Sequence, residues 1–97
     1  MPKMFDSPRM RETIRRYIRA QMAYKGFEYK DLSRSLESLG VIQADSNLRS
    51  KVNNGSLGAQ LFVFILLALG VQHLELEEMQ RILAGIPEAE DDSAPSS

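Results

Sequence analysis

Residues 29–55, YKDLSRSLESLGVIQADSNLRSKVNNG, decide how this chain is read. They spell a helix, a short turn, a second helix and a loop that closes on glycine. Leu32, Leu36 and Leu39 stand at i, i+4 and i+7, the spacing of one buried stripe, so a helix is expected over 29–39. Gly40 ends it, because glycine enters the left-handed cap conformation without steric cost. Val41 and Ile42 are expected to hold the turn against the core. Asp45 or Ser46 suits the N-cap of a second helix over 46–53, where a side-chain oxygen accepts from the free backbone N–H groups. Leu48 and Val52 lie one turn apart and point inward. Ser46, Asn47, Arg49, Ser50 and Asn53 occupy the opposite face, with Lys51 nearer its rim. A short, polar, slightly basic helix carried by a greasier one is what a helix-turn-helix lays in the DNA major groove.

Upstream, Ser7-Pro8 makes a good helix start: serine caps, and proline suits the first helical position, where its missing N–H is not needed. The helix is expected to run to about Lys25 with an apolar stripe of Met10, Ile14, Tyr17, Ile18 and Met22. Arg11, Arg15 and Arg19 stack one turn apart on another face, with Arg9 and Arg16 beside them. Like charges at i, i+4 disfavour a helix by a few tenths of a kcal/mol each. Either an anion lies along this row, or it is a solvated face paired with Glu12 and other acids. Gly26 breaks the helix and Phe27 plugs the turn. Ser33 stands where close helix–helix contact favours a small side chain. Residues 1–6 read as a flexible arm.

Downstream, Asn53-Asn54-Gly55 is a strong turn signal, since both residue types tolerate positive φ. A fourth helix is expected over 59–69, with Gly58 as its N-cap and Gly70 as its C-cap. LFVFILLAL, residues 61–69, is apolar on every side and must be covered all round. It is expected to be the central core helix, with one flank left for a second subunit. Val71-Gln72-His73 links it to a fifth helix over 76–83, built on Leu76, Met79, Ile82 and Leu83. Glu75, Glu77 and Glu78 suit its positive N-terminal end, and Arg81 can pair with Glu77. Gly85 and Pro87 stop it. Residues 87–97, PEAEDDSAPSS, have nothing apolar to fold around and read as an acidic tail. The expected organisation is an arm over 1–6, one all-α, five-helix domain over 7–86, and the tail.

At 97 residues the chain has room for one small domain. The absence of cysteine excludes disulfides and thiol redox chemistry. Residues 1–55 hold 11 Lys/Arg against 6 Asp/Glu, and residues 56–97 hold 1 against 7, so a basic front meets an acidic back. The first ten residues lack the apolar core of a signal peptide. The nine-residue apolar run is well short of the roughly 20 needed to span a bilayer. A cytoplasmic protein with no membrane partner is expected. Catalysis is not: His73 is the only histidine, no base accompanies a serine, and no glycine-rich phosphate loop occurs. No metal and no small-molecule cofactor are expected.

Five short helices with a helix-turn-helix at the second and third positions resemble the lambda-repressor-like DNA-binding fold. More narrowly, KGFEYKDLSRSLESLG, SNLRSKVNNG and LGAQLFVFILLALGV resemble a family of small uncharacterised bacterial domains. The resemblance rests on Tyr29, Leu32, Leu36, the run Asn47-Leu48-Arg49-Ser50-Lys51-Val52 and Gly70-Val71, and spans about residues 14–71. It implies a repressor-like fold and brings no activity with it. The chain departs from repressor-like domains at Glu28, Tyr29 and Lys30, where a Ser/Thr cap and a glutamine are usual. Its turn between the second and third helices is also longer.

Duplex DNA needs cations for phosphates and amide or guanidinium forks for base edges. Arg49 can fork onto guanine and Asn47 onto adenine. Ser46 and Ser50 can reach bases or phosphates, and Gln43 sits at the entry of the recognition helix. Lys51, Asn53, Asn54 and Lys30 are the expected phosphate contacts, with Lys3 on the arm. The expected partners are double-stranded DNA and a second copy of the chain. The competing reading is a non-catalytic protein adaptor using the apolar surface of the fourth and fifth helices.

Overall fold

The structure, a computed structural model, describes residues 6–87. The remainder of the expected arm, with Lys3, and the acidic tail beyond Pro87 lie outside the described residues. Five helices and no strand occupy the described part: α1 (Pro8–Lys25), α2 (Tyr29–Ser38), α3 (Asp45–Asn54), α4 (Gly58–Ala68) and α5 (Leu76–Ala84). The described part of the chain is therefore all-α.

Local chemistry sets most of the boundaries. Ser7 Oγ accepts from the Met10 N–H at 3.1 Å, and Pro8 follows at the first helical position. At the start of α2, Asp31 Oδ2 accepts from the Glu28 N–H at 2.8 Å and caps the helix. The N-cap of α3 is Ala44, not Asp45 or Ser46. Asp45 lies inside the first turn, where its carboxylate accepts from the Ser46 N–H and suits the helix dipole.

Helix α1 packs against α3 and α5, while α2 packs against α3 and α4. The core lies between these layers and holds Ile18, Met22, Tyr29, Leu32, Leu36, Leu48, Val52, Leu57, Ile65 and Leu69. Two serines of α2 fasten it to its neighbours. Ser33 Oγ donates to the Gln43 carbonyl in the α2–α3 connection, and Ser35 Oγ donates to Ala68 O at 3.0 Å at the end of α4. The small side chain at Ser33 thus serves close contact with the connection. Val41 packs on the core, but Ile42 is 74% exposed, because a connection this long turns only one of its two apolar residues inward. Leu39 is also largely exposed, since the helix ends before it.

The apolar helix α4 is not the central helix. Ile65 and Leu66 are buried and Leu69 follows them, whereas Val63 and Leu67 are 52% and 56% exposed and Phe64 stands at the surface. Its neighbours cover one side only. Helix α5 buries none of its residues fully, and Leu76 is 64% exposed. It is held instead by Ile86, buried just beyond its end, and by Arg9, which donates to the carbonyls of Leu83 at 2.8 Å and Ile86 at 2.9 Å. An arginine on the terminal carbonyls satisfies acceptors that the helix leaves without partners. Arg81 pairs with Glu78 at 3.9 Å, not with Glu77.

Candidate functional site

The surface of α3 is built from both of its sides. Leu48 and Val52 are fully buried against α1 and α2 and fix the helix's rotation about its axis. That rotation leaves Ser46, Asn47, Arg49, Ser50, Asn53 and Asn54 exposed, with Lys51 half-buried. At 100° per residue, Ser46, Ser50 and Asn54 point furthest from the core. Asn47 and Lys51 form one flank, and Arg49 and Asn53 form the other.

Each flank meets a different neighbour. On the first, Asn47 Nδ2 donates to Gln43 Oε1 at 2.8 Å, so the two side-chain amides form one fixed unit. Lys51 lines a shallow groove with Gln43, Gly58, Gln60 and Phe64, at the start of α4. On the second, the Arg49 guanidinium carbon lies 5.0 Å from the centroid of the Tyr29 ring, a cation–π seat. Beside it, Arg19 of α1 donates to Asn53 Oδ1 at 3.4 Å. Lys30 stands apart, exposed on the first turn of α2 and 3.9 Å from Glu28 Oε1. The structure thus gathers Gln43, Asn47, Arg49, Lys51 and Asn53 onto one surface with Ser46, Ser50 and Asn54.

Arg19 and Tyr29 belong to this surface and are absent from the residues read as DNA contacts in the sequence. A signal for Arg19 existed. It has no acidic residue three or four positions away, whereas Arg15 and Arg16 share Glu12 and Arg34 has Asp31. The structure uses those neighbours. Arg15 grips Glu12 with two nitrogens at 3.0 and 2.8 Å, and Arg16 adds Nε at 2.6 Å. Arg11 pairs with Asp6 at 2.9 Å and Arg34 with Asp31 at 3.7 Å. Most of the arginine row on α1 is therefore a paired face.

The Arg15 hydrogen bonds, with help from Arg16, hold the Glu12 carboxyl down to about 2 from its ordinary 4.5. A depressed carboxyl contributes stability that is complete above about pH 4.5 and is lost as pH falls through about 2. Glu12→Gln is accordingly expected to lower stability at neutral pH by about 1 kcal/mol, as for a well-formed surface ion pair. It should also flatten the acid limb across that window. Urea melts at pH 7 and pH 2.5 check this: the gap between the two proteins should narrow at the lower pH.

No group of His, Asp or Glu among the described residues is arranged to hold a metal ion. No helix among them is long and apolar enough to cross a membrane. No curated protein and no solved structure matches the chain. Residues 10–74, from the first turn of α1 to just before α5, match the family described as a domain of unknown function, DUF6471, and the chain belongs to that family.

Proposed function

We propose that this protein binds duplex DNA through α3 and acts as a small transcriptional regulator. In this reading α2 and α3 are a helix-turn-helix within a lambda-repressor-like fold, and α1, α4 and α5 brace it. The observation that carries it is the free face of α3. Buried Leu48 and Val52 hold the helix at the surface, and its hydrophilic side is exposed, touched only at its flanks by the side chains of Gln43 and Arg19. A ten-residue helix is about 15 Å long, and the major groove, about 12 Å wide, admits one. The fixed Gln43–Asn47 amide pair offers both a donor and an acceptor at one end of the face, the pattern that adenine presents in the major groove. Lys51 and Arg49 stand on opposite flanks, where phosphates of the two strands pass. Nothing in this role needs a cofactor, and a chain without cysteine suits the reducing cytoplasm.

A second copy completes the reading. The exposed stripe of α4, Val63, Phe64 and Leu67, lies on a helix with no charged residue. Across a two-fold axis each residue meets its own kind, so an uncharged stripe is compatible with itself. Two copies joined there present two α3 helices to successive turns of one face of the duplex, about 34 Å apart. The same stripe is also what favours the alternative, a protein adaptor.

Selection from random duplexes, combined with the protein's mass in solution, separates the two. Enrichment of an inverted repeat by a dimer is the expected result. Log affinity should fall with log salt at a slope of roughly −3 to −4 per subunit, for about four phosphates neutralised. No enrichment and a flat salt response would move the function to the adaptor.

A further inference from the structure

The eight arginines of this chain divide sharply. Arg9 is spent on helix carbonyls, and Arg11, Arg15, Arg16, Arg34 and Arg81 lie on carboxylates. Arg19 and Arg49 have no carboxylate within ion-pair distance among the described residues. They sit on different helices, thirty residues apart, and line the same cleft between α1, α3 and the start of α2. Tyr29, Phe27 and Met22 supply its apolar lining. Arg49 lies over the Tyr29 ring, and Arg19 is steadied by the Asn53 amide oxygen. Both contacts restrain a guanidinium without neutralising it. The one acid on the rim, Glu28, lies beside Lys30.

We propose that Arg19 and Arg49, with Tyr29 as their platform, form a clamp for one phosphoryl group, and that in the complex this is a backbone phosphate of the duplex. The source of the phosphate rests on the DNA reading; the clamp itself does not. The chemistry is that of two planar forks converging on one oxyanion. Each donates parallel N–H groups from one edge to a pair of oxygens, while Arg49 keeps one face on the Tyr29 ring and Arg19 keeps one N–H on the Asn53 amide oxygen. Arg49 thereby leaves the base-reading set in which its position on the helix alone would put it. Readout falls to Asn47 with Gln43, and to Ser46 and Ser50.

Two arms test this on the full chain. In the first, inorganic phosphate is titrated while the Nε–H signals of the arginines are followed by NMR. Saturable shifts at Arg19 and Arg49 together, with none at Arg34, are expected. Equal shifts at all three, or none, overturn the clamp. In the second, affinity for a duplex is measured against salt for Arg19→Gln, Arg49→Gln and the pair. Each single change should weaken binding roughly tenfold on every sequence alike, as a charge-assisted contact is lost. Each should also reduce the salt slope by about 0.9, the value of one phosphate. The double variant should lose little more than either single. Additive losses, or a changed base preference in Arg49→Gln, overturn the assignment.

Tyr29→Leu should repeat the Arg49→Gln loss and add nothing to it. If the wild-type chain takes phosphate at this pair yet shifts no duplex, the clamp stands and the DNA reading fails. If it binds duplex and neither arginine responds in either arm, the reverse holds.

Discussion

Replacing Gly55 with alanine is expected to destabilise the domain by about 3–5 kcal/mol, the largest effect of any single methyl group in this chain. Two independent penalties add at this position. The first is conformational: φ is +65°, a region that side-chain-bearing residues rarely adopt. The second is steric. A Cβ here would come within 2.8 Å of Arg11 Cα and nearer still to the Arg11 carbonyl. Both are backbone atoms on the first turns of α1 and cannot swing aside. Relief would require α1 and α3 to separate at the contact that joins them. For a domain of this size, whose whole stability is of order 5–10 kcal/mol, the melting temperature should fall by roughly 15–30 °C. Gly40→Ala supplies the control. Its φ is +87° but an added Cβ meets nothing within 4 Å, so only the conformational penalty, about 1 kcal/mol, applies. Equal melting temperatures for the two variants would show that the α1–α3 contact is not as tight as described.

Gly55 also marks where sequence reading ends. Its positive φ was legible, because Asn-Asn-Gly is turn chemistry and local. Its contact with Arg11 was not, because nothing in either residue type announces a partner 44 positions away. The same division runs through the fold. Ser7-Pro8, Gly26, Gly40 and Gly70 mark helix ends through their own backbone chemistry, and the observed helices begin or stop beside them. The inward pair Leu48 and Val52 followed from periodicity alone. Helix α4 defeated periodicity, since a run that is apolar on every side carries no record of which side is covered. Leu39 shares the stripe spacing of Leu32 and Leu36 yet stands just past the end of α2, and Ile42 lies in the connection, so both join the apolar surface that a small domain leaves exposed. The candidate site divides likewise. Its outward face was visible from spacing on one helix, while the cleft that Arg19, Tyr29 and Arg49 line together joins three helices and depends on how they pack.

Ser50→Glu is expected to reduce affinity for any duplex by at least about 100-fold while leaving the fold intact. Ser50 is exposed near the centre of the free face, flanked by Arg49 and Lys51. Serine and glutamate differ little in helix propensity, and a carboxylate in the latter half of α3 opposes the helix dipole by only a few tenths of a kcal/mol. Stability should therefore stay within about 0.5 kcal/mol of the native value, as for most surface changes. Binding is another matter. If α3 fills the major groove as proposed, a carboxylate there would stand between two rows of phosphates, cancel part of the attraction from both flanks and find few donors to replace its water. Ser50→Ala, by contrast, removes at most one polar contact and should cost roughly tenfold or less. The size of the gap between these two variants is what discriminates, because loss of a hydroxyl and gain of a charge separate a groove-filling helix from a merely exposed one. An adaptor that works through Val63, Phe64 and Leu67 would hold its partner equally well with serine, alanine or glutamate at position 50, since that stripe belongs to α4 and position 50 points to solvent on α3.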